Sequence, residues 1–127
     1  MKAVVLIRHA SAGDREHWSG DDRERPLDER GWRQAEELVR SLAGYEIERI
    51  VSSPAARCVQ TVEPLARELR IEIEERDELA EGASRDESLA FVEEVRGAGV
   101  ALCTHGDVVH ELLGSGLKKG ETAILEP

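Results

Sequence analysis

Residues 3–9 read AVVLIRH, five apolar residues in a row followed at once by an arginine and a histidine. An unbroken run of aliphatic and β-branched residues is typical of a parallel strand buried on both faces, because a half-exposed strand would alternate polar and apolar residues. We therefore expect a central strand over residues 3–7. Ligands of open α/β sheets bind beyond the carboxyl ends of the strands, so Arg8 and His9 are candidate site residues.

Four further strands are predicted, at residues 49–52, 71–74, 100–103 and 122–125. The stretch VALC at 100–103 is apolar throughout, as expected of another strand buried on both faces. The stretch IEIE at 71–74 alternates, which is typical of an edge strand with one exposed face.

Helices are predicted between these strands from their start and stop signals. Asp28 can cap a helix that ends near Gly44, because apolar residues follow it at helical spacing. Ser53 is predicted as the N-cap of a second helix, with Pro54 at its first position. Pro64 lies inside the second helix and is expected to kink it, since proline removes a backbone donor.

Two more helices follow in the second half of the chain. Ser84 and Glu87 have the spacing of a capping box, and Asp107 is predicted to cap a short helix. Strands that alternate with helices indicate an α/β fold, a three-layer sandwich whose mostly parallel central sheet is flanked by helices.

Length and composition set limits on the function. The chain has 127 residues, 40% of them hydrophobic, which predicts one domain over residues 1–127 with its own core. The net charge is −10, and residues 71–127 hold 14 acidic against 5 basic residues, so the basic patch of a nucleic-acid binder is missing.

Two features of the chain bear on its compartment. The first apolar run is too short for a signal peptide or a membrane span, so we expect a cytoplasmic protein with no membrane partner. Cys58 and Cys103 show no metal-binding spacing, and we expect both to be small, buried, reduced residues.

Polar groups follow three of the predicted strands. Arg8 and His9 follow the first, Arg57 comes after the strand at 49–52, and His105 follows the strand at 100–103. Two guanidinium groups can hold phosphate oxygens through charge-assisted hydrogen bonds, and two histidines can act as nucleophile, acid or base. Together these residues predict a pocket for a phosphoryl group.

Four segments resemble the histidine phosphatase (phosphoglycerate mutase-like) superfamily in order and spacing: RHA at 8–10, RPLDERG at 25–31, SSPAARCVQT at 52–61 and THGD at 104–107. The resemblance spans nearly the whole chain and implies the phosphoglycerate mutase-like fold. Within the superfamily, the short length and the RPL…G and SP…R…QT segments look most like the small bacterial phosphohistidine phosphatases.

The resemblance implies a two-step reaction that needs neither a metal nor another cofactor. His9 would attack phosphorus and become a phosphohistidine, Arg8, Arg57 and His105 would bind the transferred oxygens, and water would release phosphate. Such a nucleophile must be neutral, so we expect the other ring nitrogen of His9 to donate to a backbone carbonyl. Ser11 is a further candidate for contact with the phosphate.

The resemblance also bears on the proton donor. Family members commonly place a carboxylate in an L-x-E segment, which Leu79, Ala80 and Glu81 match here. Glu81 is therefore the candidate general acid, and the alternative is that it is one more solvated glutamate in an acidic loop. Asp107 is a rival donor, although capping of a helix also explains it.

The sequence departs from the wider family in two places. The common RHG is RHA here, so Ala10 should adopt an ordinary backbone conformation. The mutase pattern RHGxTxxN is absent, with Ala12 and Arg15 at the threonine and asparagine places, which argues against a sugar-phosphate mutase. The long insertions that form a lid in larger relatives are also missing, which predicts an open pocket suited to a phosphoryl group carried by a protein.

The favoured function is therefore a phosphatase acting on phosphohistidine in a protein. The alternatives are a small-molecule phosphomonoesterase and a non-catalytic phosphate-binding regulatory module. A metal hydrolase built on His9, His105 and Asp107 is a third alternative, which chelators would inhibit.

Overall fold

Five strands form one sheet in the structure, a computed structural model in which residues 2–125 are described. The strands are β1 (Val4–Arg8), β2 (Arg49–Ser52), β3 (Ile73–Glu75), β4 (Val100–Thr104) and β5 (Thr122–Leu125), in the order β3-β2-β4-β1-β5. The first four are parallel and β5 is antiparallel to β1. The mostly parallel sheet and the edge position of β3 are as predicted. The first strand is an interior strand of the sheet, as predicted from its apolar run, and lies between β4 and β5.

Helices cover both faces of the sheet, which makes the predicted three-layer sandwich. They are α1 (Glu29–Ser41), α2 (Ala56–Leu69), α3 (Arg85–Val95) and α4 (Gly106–Leu113). Short 3₁₀ turns occur at Arg15–His17, Asp22–Glu24 and Asp77–Leu79. No helix within residues 2–125 has the length and apolar character needed to cross a bilayer.

Each interior strand contributes to two separate cores. Val5 and Ile7 of β1 pack with the apolar residues of α1 and α2, whereas Val4 and Leu6 pack with those of α3 and α4. This two-sided packing explains the unbroken apolar run, since successive side chains of a strand point to opposite faces. Cys58 and Cys103 are buried free thiols in the first core, as predicted.

Two of the four predicted helix starts are confirmed. Asp28 caps α1 by accepting a hydrogen bond from the amide of Gly31, and Ser84 and Glu87 form a complete capping box at α3. α2 continues through Pro64 to Leu69.

The other two predicted caps are wrong. The N-cap of α2 is Ala55, without a side-chain hydrogen bond, and the N-cap of α4 is His105. The hydroxyl of Ser53 is 2.8 Å from the ring of His105 instead, and the carboxylate of Asp107 accepts from the amide of Gly82 at 2.8 Å. Both residues were assigned by local capping rules, and in the structure both side chains contact the candidate site.

Candidate active site

The predicted site residues converge at the carboxyl end of the sheet. His9 follows β1, His105 follows β4, and Arg57 lies in the first turn of α2, which follows β2. The ring centroids of His9 and His105 are 5.5 Å apart. His9 is 6% exposed, His105 2% and Arg57 1%, so these three side chains are largely shielded from water.

His9 is a neutral imidazole with one free ring nitrogen. Its Nδ1 lies 2.8 Å from the carbonyl oxygen of Ala10, and because a carbonyl only accepts, Nδ1 carries the proton and Nε2 keeps its lone pair. The pKa of His9 is lowered to about 3, chiefly by burial and also by the nearby His105, Arg57 and Arg8, while the hydrogen bond to the Ala10 carbonyl opposes this shift. The predicted donation to a backbone carbonyl is thus confirmed, and His9 is unprotonated at neutral pH.

The lowered pKa of His9 predicts how stability depends on pH. In the unfolded chain His9 titrates near 6.5 and in the folded chain near 3, so between these values only the unfolded state binds the proton. Acid therefore favours unfolding, and the contribution of His9 present above pH 6.5 is lost as the pH falls. From pH 7 to pH 5 we expect the native chain to lose about 2 kcal/mol of unfolding free energy that His9→Asn does not lose.

Urea denaturation of the two proteins at several pH values measures this difference. Parallel pH dependences would contradict it, because they would mean that the folded chain takes up the proton on His9 as readily as the unfolded chain does.

Arg8 lies against the first turn of α4. Its Nη1 donates to the carbonyl oxygen of Leu117 at 2.7 Å. A Cβ added at Gly106 would lie 3.0 Å from Cζ of Arg8, tighter than ordinary contacts, so glycine allows the guanidinium to approach the helix start. The amides at the start of a helix and the Arg8 guanidinium both attract anions, and here they share one place.

Arg57 is the most deeply buried cation of the site. Its Nη1 donates to the backbone oxygen of Asp22 at 2.9 Å and its Nη2 lies 3.2 Å from the Asp22 carboxylate. The Nε of Arg57 and the Nε of Arg8 are buried, and neither has a hydrogen-bond partner among residues 2–125. Leaving a buried charged donor unsatisfied is costly, which makes such donors suited to the oxygens of a bound anion.

His105 is oriented by contacts at both ring nitrogens. Nη2 of Arg57 lies 3.4 Å from Nδ1, and because a guanidinium only donates, Nδ1 is the acceptor. Nε2 then carries the proton and donates to the Ser53 hydroxyl at 2.8 Å. Sequence reasoning missed this role of Ser53, since the dipeptide SP resembles an ordinary helix start.

Glu81, the candidate general acid, lies beside two arginines. Its Oε2 is 3.0 Å from Nη2 of Arg15 and 3.8 Å from Nη2 of Arg57. The next residue, Gly82, donates its amide to Asp107, so the rival carboxylate holds the loop that carries Glu81. The two candidate acids therefore belong to one structural unit, in which Asp107 positions the loop that carries Glu81.

The SP…R…QT segment holds the loop after β1. Thr61 Oγ1 accepts from the amide of Ala10 at 2.9 Å, and Gln60 Oε1 accepts from the amide of Leu27 at 2.8 Å. Ala10 is fully buried and, as expected from RHA, does not adopt a positive φ. The motif thus fixes the nucleophile loop and the RPL segment against α2, the helix that carries Arg57.

Ser11 has a structural partner. Its hydroxyl donates to the carboxylate of Asp28 at 2.8 Å, and its amide donates to Gln34 Oε1. In this arrangement its hydroxyl stabilises the start of α1, so contact with phosphate would require Ser11 to change partner.

An open cleft of about 650 Å³ leads to His9, and we call it the main cleft. Besides Arg8, His9 and Glu81, it is lined by Asp14, Arg15, Arg25, Asp107, Lys119 and two glycines, Gly13 and Gly106. A smaller cavity of about 190 Å³ reaches Arg57, His105 and Ser53 and shares Glu81 with it.

Three basic residues of the main cleft, Arg15, Arg25 and Lys119, were not predicted as site residues. Arg25, 6% exposed, donates to Asp22 and to the backbone oxygen of Ala12, so it ties the two ends of the loop at 12–25 together. Because Arg25 begins the RPL segment quoted for the family resemblance, that motif could have marked it as a site residue. Lys119 is in a turn after α4, and no motif in the sequence marks it.

A metal site is not apparent in the part of the chain that the structure describes. Within residues 2–125, no three His, Cys, Asp or Glu side chains are grouped so that they could hold a metal ion.

Comparisons with known proteins give the same picture as the geometry. The sequence profile of the histidine phosphatase superfamily (branch 1) matches residues 4–96. The chain is 38% identical over 117 residues to the 8-oxo-(d)GTP phosphatase of Mycolicibacterium smegmatis, an alignment covering 88% of this chain and 36% of that protein. The chain therefore spans about a third of the length of that relative.

Two solved structures share the fold along most of the chain. SixA from Agrobacterium tumefaciens, a candidate phosphohistidine phosphatase, superimposes with a TM-score of 0.77 and 29% identity, over 98% of this chain and 91% of that one. SixA from Nakamurella multipartitia, another such candidate, gives a TM-score of 0.69 and 33% identity, over 85% and 61% of the two chains. The expected phosphoglycerate mutase-like fold and the likeness to small SixA-type proteins are confirmed, and the chain belongs to branch 1 of the histidine phosphatase superfamily.

Proposed function

We propose that the protein is a metal-independent phosphatase that forms a phosphohistidine at His9 and acts on phosphohistidine in a protein. One observation carries the proposal. A neutral imidazole with a free Nε2 lies at the carboxyl end of the sheet with two guanidinium groups, Arg8 in the main cleft and Arg57 in the adjoining cavity. Each guanidinium has a buried Nε–H that has no acceptor among residues 2–125. A nucleophile next to unsatisfied cationic donors is the arrangement that phosphoryl transfer requires.

The reaction follows from this arrangement in two steps. The lone pair of His9 Nε2 attacks phosphorus, a P–N bond forms, and the bond to the leaving atom breaks with its electron pair on that atom. A water oxygen then attacks phosphorus, the P–N bond breaks, and its electron pair returns to Nε2. One proton of the water ends on the leaving group and the other stays with inorganic phosphate.

The positive groups act mainly on the three oxygens of the transferred group. Arg8, Arg57 and the amides at the start of α4 are positioned before the substrate arrives, so they stabilise developing charge without reorganisation. The His105 imidazole is the fourth group in the proposed set, and its Nε2–H must leave the Ser53 hydroxyl to donate to a phosphate oxygen. Asp22 must yield its contact with Nη2 of Arg57 if that nitrogen is to bind the phosphate.

Glu81 is the proposed proton donor, but its present contact with Arg15 favours substrates whose leaving group needs little help from a general acid. While its Oε2 accepts from Arg15 at 3.0 Å, it donates no proton from that oxygen. General acid catalysis contributes about 10²–10⁴-fold, and leaving groups that depart easily depend on it less. The imidazole of a phosphohistidine and the phosphate of a diphosphate both fit this requirement.

The choice of a protein substrate has two supports. The main cleft is open, so a phosphoryl group on a macromolecular surface can reach His9. The SixA structures superimpose on 98% and 85% of this chain, and both are candidate phosphohistidine phosphatases.

A nucleotide is the second candidate substrate. It is favoured by the 38% identity to an 8-oxo-(d)GTP phosphatase over 88% of this chain. The name of that relative specifies a nucleoside triphosphate, whose terminal phosphorus His9 would attack with a nucleoside diphosphate as the leaving group. A nucleoside diphosphate has the same kind of phosphoanhydride bond and would give a nucleoside monophosphate as the leaving group.

Turnover of three substrates in excess EDTA tests the proposal. We expect chelator-resistant hydrolysis of a phosphohistidine-bearing protein with a kcat/KM about tenfold or more above that for p-nitrophenyl phosphate, since recognition of the leaving group adds binding energy. A preference for GDP would select the nucleotide. Phosphate binding without turnover would identify a binding module, and loss of activity in EDTA would contradict the metal-independent mechanism.

A further inference from the structure

We infer that the turn at 117–120 forms a subsite for a second anionic group of the substrate, next to the transferred phosphoryl group, and that Lys119 is its cation. The inference rests on the proposed function, because it deepens the description of the substrate. It concerns a part of the chain that lies beyond the family match at residues 4–96.

The turn is hydrogen-bonded directly to Arg8 and to the backbone of His9. The Gly120 amide lies 3.1 Å from the carbonyl oxygens of both Arg8 and His9, and Nη1 of Arg8 donates to the carbonyl oxygen of Leu117 at 2.7 Å. On its other side, Nε2 of Gln34 donates to the carbonyl oxygen of Lys119 at 3.3 Å. The backbone that carries Lys119 is therefore fixed relative to the nucleophile.

The conformation of the turn depends on glycine. Gly120 has a φ of +82°, and a Cβ added there would lie 3.2 Å from Cδ of Gln34. Glycine adopts positive φ at little cost and leaves room for Gln34, so the turn can close on the catalytic loop.

The charges of the main cleft single out Lys119. Arg15 and Arg25 also line it, but both pair with carboxylates: Arg15 with Glu81 and Asp22, and Arg25 with Asp22. Within residues 2–125, the Lys119 side chain makes no hydrogen bond and no salt bridge.

Asp28, a carboxylate influenced by the Lys119 charge, already has its own hydrogen-bond partners. The oxygens of Asp28 accept three hydrogen bonds from other groups. Arg8 and Lys119 are thus the two cations of the main cleft without a carboxylate partner in the described residues. In the proposed mechanism Arg8 binds the transferred phosphoryl group, so Lys119 remains available for a second anion.

The second anion has two possible sources that share one chemistry. It is either the non-transferred phosphate of a diphosphate or an acidic side chain beside a phosphohistidine. A lysine ammonium is a point charge that accepts both, since it imposes no planar geometry on its partner.

Lys118 provides a matched control for this inference. It is the preceding residue, it is also exposed and of equal charge, and it does not line the main cleft. Replacing either lysine with methionine removes one charge and keeps a long apolar stem, so the two variants change the net charge of the protein equally.

Calorimetric binding of methylenediphosphonate and methylphosphonate tests the subsite without requiring turnover. The native chain should bind the diphosphonate more tightly, and Lys119→Met should reduce that preference about tenfold, as expected for one partly exposed charge-assisted contact. Lys118→Met should keep the preference within about twofold, because Lys118 does not line the main cleft and its exposed charge is screened by solvent and salt. An unchanged preference in Lys119→Met, or an equal reduction in Lys118→Met, would overturn the inference.

Turnover then identifies the source of the second anion. A larger loss in Lys119→Met for GDP than for a phosphohistidine-bearing protein assigns the subsite to a non-transferred phosphate, and the reverse assigns it to an acidic side chain. A retained binding preference in a chain that hydrolyses neither substrate would keep the subsite and reject the proposed phosphatase function.

Discussion

The variant His9→Asn should hydrolyse p-nitrophenyl phosphate about 10⁴-fold more slowly than the native chain, or worse, because no other group can take over the attack on phosphorus. Asparagine suits this test because its side-chain amide nitrogen can replace Nδ1 as the donor to the Ala10 carbonyl. The loop after β1 therefore keeps its hydrogen bond while the nucleophilic Nε2 is lost. Inorganic phosphate should still bind the variant, since Arg8 and Arg57 remain.

The covalent intermediate provides a second measurement on the same pair of proteins. Rapid acid-free quenching of the native chain with ³²P-labelled substrate should trap label on the protein, and the label should be lost in acid and kept in base, as expected for a P–N bond. His9→Asn should trap none. Mass spectrometry of the labelled peptide then identifies the modified residue.

His110→Asn serves as the control for this experiment. His110 is an exposed histidine on α4 outside the site, so its replacement should leave turnover within about twofold, as for a typical surface change. Label on a residue other than His9, or substantial turnover in His9→Asn, would contradict the assignment of the nucleophile.

Much of the site could be predicted from the sequence because it lies where strands end. Apolar runs predict β1 and β4. Because parallel strands end at the same edge of the sheet, the polar residues directly after them are expected to lie close together. Arg57 was found in the same way, one turn into the helix after β2. These assignments needed only the order of the elements.

The contacts that cross between segments could not be predicted in this way. Ser53 binds the His105 ring, and Asp107 holds the loop of Glu81, although both look like helix caps in their local sequence. The turn that carries Lys119 is held at the cleft by distant segments, among them the backbone of Arg8 and His9, about 110 residues earlier in the chain. Capping rules describe neighbours in sequence, whereas these partners are set by the packing of distant segments.

Among the glycines that the structure describes, replacement of Gly31 with alanine should lower the free energy of unfolding the most. A Cβ at this position would lie 1.9 Å from the carbonyl oxygen of Ser11 and 3.1 Å from Cβ of Leu27. In an exposed helix the change from glycine to alanine stabilises by about 1 kcal/mol. Here the overlap reverses the sign, because the partner is backbone and cannot rotate away.

The clash also reaches the nucleophile. The Ser11 carbonyl accepts from the amide of Asp28 at 3.1 Å, and the Asp28 carboxylate in turn accepts from the amide of Gly31. Moving Ser11 aside breaks this link between α1 and the loop that starts at His9. We expect Gly31→Ala to lower the unfolding free energy by about 3 kcal/mol. We also expect the folded fraction of this variant to turn over substrate more slowly than the native chain, because the nucleophile loop is displaced.

Gly44→Ala is the matched control, since a Cβ at Gly44 would meet nothing within 4 Å and its φ is not positive. Urea denaturation should show that Gly44→Ala changes stability by less than about 1 kcal/mol, while Gly31→Ala shows the large loss. Equal stabilities for the two variants would mean that α1 does not pack against Ser11 as closely as described. The glycine of the RPL…G segment would then have to be explained by something other than the approach of this helix to the nucleophile loop.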